Sequence, residues 1–277
     1  MTALIILALM NYIAAKMAFH APRPLIRFPP PGGHVEAPDG TRLDWDHVCQ
    51  EVWHAHRVAA AVLPHEAPAC VALYCHGNAE NLVASAHFVA QLREHCRATV
   101  FAIEYPGYFD SSEPASEAAL KAAVSALVAK LAAQALPVLL VGYSLGSAAA
   151  VHAAGSASLR GRNTMLVLLA PLVGGIRTFF VTGGILSALV SPFDVFRTDA
   201  AAAQLSLRAA AVFHGTDDAV VPLWHGQRLA AALRTHTPAA QFWALPGTTH
   251  DTVRARALPM LSASVGDWLD ATGTIAV

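Results

Sequence analysis

Charge is scarce in this 277-residue chain. Asp, Glu, Lys and Arg together make up 13%, and the formal net charge is -1. That balance excludes a broad basic surface, so nucleic acid is not an expected partner. Cysteine is scarce too: Cys49, Cys70, Cys75 and Cys96 are the four, and none forms a C-x-x-C pair. Zinc-ribbon and dithiol redox motifs are therefore missing. Cys70 and Cys75 fall in one predicted strand at odd spacing, which points them to opposite faces and argues against a bridge between them. A reducing, cytoplasmic setting is expected. Glycine-rich phosphate loops of the Walker or dinucleotide type do not occur, so no nucleotide cofactor is implied. His54-x-His56 lacks a companion ligand in sequence, and no metal is expected there. No Pro/Gly/Ser linker or charge run divides the interior, and no internal repeat occurs.

What the chain has in abundance is apolar residues, at 55%. Disorder is excluded by that figure. It suits a parallel sheet buried on both faces, whose strands read as continuous apolar runs. From residue 69 such runs alternate with helical patterns. Strands are predicted over 70–75, 99–103, 137–141, 165–169, 209–213 and 241–245. Helices are predicted over 80–95, after a Ser116 cap, and over 145–154, 223–233 and 251–269. This alternation predicts an α/β fold: a mostly parallel central sheet, right-handed crossovers and helices on both faces. Residues 35–63 read as two or three antiparallel strands with a turn at Pro38-Asp39-Gly40. The stretch 171–205, with two Gly-Gly pairs and four phenylalanines, breaks the rhythm and is predicted to be a small lid insertion.

Residues 1–32 are set apart as an apolar N-terminal helix and Pro-rich connector, with the main domain over 33–277. The run over residues 3–15 lacks the flanks of a secretory signal and is short for a membrane span. Extended to residue 19, it could reach. Lys16, Arg23 and Arg27 would then keep the main domain on the cytosolic side. Membrane association through residues 1–19 and a helix packed on the domain both stand as readings.

The residues that carry chemistry are few. Gly142-Tyr143-Ser144-Leu145-Gly146 falls where a predicted strand meets a predicted helix. A serine there occupies a strained turn that presents its hydroxyl above the sheet, as a nucleophile does. Serine needs a base to take its proton. His250 follows the last predicted strand, at the carboxyl end where open sheets place their sites. The imidazole in turn needs a carboxylate. Asp217 and Asp218 both follow the strand over 209–213; Asp218 is the expected partner, Asp217 a solvated neighbour, and the two could exchange roles. A developing oxyanion needs amide donors. Leu145 is one expected donor, and Asn78, in His76-Gly77-Asn78-Ala79-Glu80, is the other, with Ala79 next. His76 is expected to brace this loop and not to act as a base. The phenylalanines of the insertion either line an acyl pocket or pack it.

At these residues the chain resembles a known group. His76-Gly77-Asn78-Ala79-Glu80-Asn81, Glu104-Tyr105-Pro106-Gly107-Tyr108, the serine turn, Ala170-Pro171-Leu172, Phe193-Asp194 and His214-Gly215-Thr216-Asp217-Asp218 are similar to segments of α/β-hydrolase-domain proteins that act as protein depalmitoylases. The likeness covers about residues 69–270 and implies the α/β-hydrolase fold. It implies a serine hydrolase that cleaves an acyl ester or thioester, on an acylated small molecule, a lipid or an acyl-protein. The chain departs from that group in two places. No cysteine precedes Cys49, where the group carries a cysteine cluster, and Phe109-Asp110 stands where relatives often have glycine. A serine peptidase, amidase or lipase of the same fold is an alternative, as is a non-catalytic binding protein on this scaffold.

Overall fold

The computed structural model describes residues 19, 21, 32–37, 39–49, 57–109, 114–179, 184–185 and 194–273. The apolar run before Phe19, His54, His56, Asp110, Phe180 and Phe193 lie outside the described residues.

One nine-stranded sheet organises the chain, in the order β1-β2-β3-β5-β4-β6-β7-β8-β9. The strands are β1 (His34–Glu36), β2 (Arg42–Cys49), β3 (Arg57–Leu63), β4 (Cys70–Cys75), β5 (Ala98–Glu104), β6 (Val138–Tyr143), β7 (Thr164–Leu169), β8 (Ala209–Gly215) and β9 (Ala240–Leu245). β1, β2 and β3 pair antiparallel, and β3 joins β5 antiparallel. Every pairing from β5 across to β9 is parallel. The predicted antiparallel prelude is thus three strands, and the predicted strands agree with the observed ones within one or two residues.

Among the described residues the α-helices are α1 (Leu82–His95), α2 (Glu117–Ala132), α3 (Gly146–Ala154), α4 (Thr198–Ala202), α5 (Trp224–Arg234) and α6 (Val253–Ala271). Side chains alternate along a strand, so each strand feeds both faces. Cys75, Leu73 and Val71 enter the core shared with α2, α3 and α5; Cys70, Ala72 and Tyr74 enter the core shared with α1 and α6. Cys70 and Cys75 therefore lie on opposite faces, and Cys70, Cys75 and Cys96 are free thiols. β4, β6 and β7 are buried at every position, which is why they read as unbroken apolar runs. Each such Leu or Val contributes about 1.5–3 kcal/mol by leaving water.

Helix starts follow their caps. The Ser116 side chain accepts from the Ala119 amide. Asn81, not Glu80, caps α1, its side chain accepting from the Ala84 amide. The predicted helix over 80–95 therefore begins two residues later, and Glu80 is left in the preceding loop. No described helix is long and apolar enough to cross a membrane.

Between β7 and α5 the insertion is held by charge. Arg177 is 2% exposed and donates to Asp194 at 2.8 Å, to both carboxylate oxygens of Asp199 at 2.9 and 2.8 Å, and to the Val173 carbonyl at 2.7 Å. Of the phenylalanines, Phe196 is buried and meets Phe19 edge-on at 5.7 Å.

Candidate active site

At the carboxyl edge of the sheet, β6 turns sharply into α3. Ser144 stands in the turn with φ +52°, a left-handed conformation unusual for a residue with a side chain. Its amide donates to the Leu169 carbonyl at 2.9 Å. A Cβ on Gly146 would collide with the Cys75 carbonyl oxygen, so only glycine lets α3 pass this close to β4.

The loops after β8 and β9 bring the other two groups. They are joined by backbone bonds from the Thr216 amide to the Leu245 carbonyl and from the Asp217 amide to the Thr248 carbonyl. Gly215 allows the approach, because a Cβ there would strike the Thr248 carbonyl oxygen. His250 Nε2 lies 3.0 Å from Ser144 Oγ, and His250 Nδ1 lies 2.7 Å from Asp218 Oδ2. Ser144, His250 and Asp218 are each less than a tenth exposed. Asp217 is exposed and accepts from the Thr216 hydroxyl, so of the two neighbours the structure brings Asp218 to the imidazole.

Asp218 Oδ1 accepts from the Val220 and Val221 amides at 2.9 and 2.7 Å. Burial pushes the carboxyl upward, but His214 and His250 beside it, together with the Val221 amide, outweigh burial and hold it well below the usual carboxylate range. As a carboxylate it can only accept, so His250 Nδ1 carries the proton and Nε2 is left to accept from the serine hydroxyl. His214, fully buried, stands 3.5 Å from the same Asp218 oxygen and donates from Nε2 to the Val221 carbonyl at 2.8 Å.

Facing the serine is the loop between β4 and α1. Here the peptide planes are pinned one by one. Tyr105 donates its hydroxyl to the His76 carbonyl at 2.6 Å, and the Gly77 amide donates to Glu80 Oε1 at 2.8 Å. His76 Nδ1 donates to the Gly77 carbonyl at 2.8 Å, fixing the plane that carries the Asn78 amide. The Asn78 side chain accepts from the Tyr108 hydroxyl at 2.6 Å. His76 Nε2 meets buried Glu104 at 2.8 Å. Both partners of His76 accept, so both ring nitrogens donate. Burial opposes the charged ring, but Glu104 overrides it and raises the His76 pKa. Glu104 also accepts from the Leu82 and Tyr105 amides. His76 thus braces the loop as its position suggests. Leu145 lies at the N-terminus of α3, where helix geometry leaves backbone amides without internal acceptors.

The arrangement can move a proton from a hydroxyl to an imidazole steadied by a carboxylate, beside a rigid amide-bearing loop. Among the described residues no group of His, Cys, Asp or Glu could hold a metal ion.

Sequence reasoning missed Glu80, Glu104, His214 and Arg254 as contributors. Two of them left a signal: Glu104 and His214 are polar residues closing apolar strand runs.

A nucleophile-type turn, an imidazole and a carboxylate in chain order Ser-Asp-His, on a mostly parallel sheet, define the α/β-hydrolase fold. The chain belongs to the alpha/beta hydrolase family, whose sequence profile matches residues 72–271. A relative in Caenorhabditis elegans, alpha/beta hydrolase domain-containing protein aho-3, is 29% identical over 192 residues, which cover 67% of this chain. The matched stretch is 53% of that protein, so this chain spans about half of the relative's length. Among solved structures, esterase Pf2001 of Pyrococcus furiosus is similar with a TM-score of 0.64 and 15% identity, covering 91% of this chain and 98% of that one. Mouse alpha/beta hydrolase domain-containing protein 10 has a TM-score of 0.57 and 16% identity, covering 83% and 99%.

Proposed function

We propose that this protein is a serine hydrolase that cleaves acyl esters or thioesters through an acyl-enzyme. The observation that carries the reading is the unbroken run from Ser144 Oγ to His250 at 3.0 Å and on to Asp218 at 2.7 Å. In the first half-reaction Ser144 Oγ attacks the acyl carbonyl while His250 Nε2 takes its proton. The tetrahedral oxyanion is held by the Leu145 and Asn78 amides. His250 then hands the proton to the leaving alkoxide or thiolate, and the acyl group stays on Ser144. Water, deprotonated by His250, repeats the sequence and releases the acid. Asp218 steadies the imidazolium at both stages and remains ionised.

The substrate class includes lipid-borne acyl groups and S-acylated proteins, the latter following from the resemblance to depalmitoylases. One placement supports a lipid-borne substrate. Phe19, where the apolar run of residues 3–15 would end if extended through Lys16, lies edge-on to Tyr108 at 6.5 Å, and Tyr108 bonds Asn78. The end of that run is therefore near the oxyanion side of the site, and membrane contact through residues 1–19 belongs to the same proposal.

A panel of matched acyl esters, thioesters and anilides, run with Ser144→Ala as control, tests the reading. Ester or thioester turnover that vanishes in the variant is expected. Anilide turnover alone would move the chain to the amidases, and no turnover of any acyl compound would leave a non-catalytic binding protein. Flotation of the full chain on phosphatidylcholine vesicles, with and without residues 1–19, tests the membrane part.

A further inference from the structure

Arg254 sits four residues beyond His250, in the first turn of α6. A cation there opposes the helix dipole, which disfavours positive charge at an N-terminus. Its surroundings offset that cost. Nη1 meets both oxygens of Glu80, at 3.2 and 3.1 Å, and donates to the Tyr74 hydroxyl at 3.1 Å. The guanidinium carbon lies over the Tyr143 ring, 4.4 Å from its centre. The pair is mostly buried, with the Arg254 side chain 20% exposed and that of Glu80 12%.

Each contact leads to a different part of the site. Glu80 Oε1 accepts the Gly77 amide at 2.8 Å and the Ser85 hydroxyl at 3.2 Å, tying it to the oxyanion loop and to α1. Tyr143 directly precedes Ser144, and its hydroxyl donates to the His250 carbonyl at 3.3 Å. Its ring also packs against Gly77, where a Cβ would come within 2.9 Å of it. The nucleophile turn, the base loop and the oxyanion loop are far apart in sequence; Arg254 with Glu80 touches the first and the last, and reaches the base loop through Tyr143.

We infer that the Glu80–Arg254 pair is a positioning device that registers the oxyanion loop against the Ser144–His250 pair. The inference rests on the reading of Ser144 as nucleophile and goes beyond it by adding two residues that touch no reacting atom. The oxyanion carries full charge only in the transition state, so misplacing its donors lowers kcat and leaves KM nearly untouched. A purely structural pair would lower the folded fraction and leave the kinetics of the folded enzyme unchanged.

The experiment compares wild type, Arg254→Met, Arg254→Lys, Glu80→Ala and the Arg254→Met/Glu80→Ala double variant on a short p-nitrophenyl ester, with the folded fraction fixed by thermal melts. The Met and Ala variants are expected to lose about 10–100-fold in kcat, by analogy with the loss of an oxyanion donor, with KM within about threefold. The double variant should fall no further than the worse single one, because the pair acts as a unit. Arg254→Lys should regain part of the loss by restoring charge. Single variants with kcat within about threefold of wild type, or losses that multiply in the double variant, would overturn the inference. If Arg254→Met does not fold, Glu80→Gln decides, since it keeps an acceptor for Gly77 but drops the charge. A fall of about 3–10-fold in kcat is then expected, and an unchanged kcat refutes the pairing. Wild-type protein inert toward every acyl compound would instead sink the proposed function, so the two failures are distinguishable.

Discussion

The Arg177 guanidinium donates to Asp194, to both oxygens of Asp199 and to a backbone carbonyl, and Arg228 adds a second cation on Asp199. A short distance away in the same fold, Ser144, His250 and Asp218 form a cluster that is just as buried, but its bonds run in a line from hydroxyl to imidazole to carboxylate. In the first cluster opposite charges lie in direct contact and no weakly basic group mediates between them, so no proton has reason to move. In the second an imidazole stands between a hydroxyl and a carboxylate, so it can take the hydroxyl's proton while the carboxylate stays ionised and steadies the imidazolium that forms. The difference teaches that burial and hydrogen bonding alone do not mark a reactive site. The presence of a group that can change protonation state within the chain does.

Substitutions can break this comparison from either side. The largest effect is expected from Ser144→Ala, which removes the proposed nucleophile. Ester turnover should fall about 10⁴-fold or more, with the melting temperature nearly unchanged, as steady-state kinetics and calorimetry would record. Next comes Asp218→Asn, which keeps the shape but lets His250 adopt the wrong tautomer. A loss of about 10³–10⁴-fold in kcat is expected. Arg177→Met should do the opposite of both. It takes the guanidinium away from buried Asp194 and leaves Asp199 with Arg228 alone, and should cost about 3–5 kcal/mol of stability in denaturant unfolding. The kcat of the molecules that remain folded should stay within about threefold, since none of the reacting groups contacts Arg177.

Acid sharpens the comparison with a smaller effect. Burial works to raise the Asp199 carboxyl, but Arg177 and Arg228 override it and lower the pKa to about 2. The unfolded chain therefore binds this proton first, so the contribution is complete above the usual value near ~3.9 and is lost as pH falls toward about 2. Unfolding measured across that window should show the loss in wild type, and Asp199→Asn should flatten it. His76 has the opposite sign. Its raised pKa gives a contribution that is complete below about 6.5 and lost as pH rises through the folded value. His76→Gln should remove that alkaline slope.

Much of the sheet is legible in the sequence because β4, β6 and β7 are buried on both faces and so consist of apolar residues alone. β9 is legible to within one residue although its pattern is weaker. It is the edge strand, with Trp243 40% exposed and stacked on Phe213, and its pattern mixes polar and apolar residues. The serine turn is legible because two glycines and a serine at a strand end have a steric reason to be there. Asp218 and His250 are legible through their places after strands. Glu80 was hidden by helix periodicity: it reads as the first residue of α1 until Asn81 is seen to cap that helix. Arg254 was hidden for a different reason, because its partners lie 174 and 180 positions away in the chain and no local pattern announces them. The insertion was read by its phenylalanines, yet its described part is organised by Arg177. A single arginine among apolar residues gives no periodic signal.

The most direct test treats wild-type protein with a fluorophosphonate, which reacts only with an activated serine, and maps the adduct by peptide mass spectrometry. One adduct per chain on Ser144 is expected, strongly slowed in His250→Ala and gone in Ser144→Ala. An unlabelled wild type, or equal labelling of Ser144→Ala, would contradict the account.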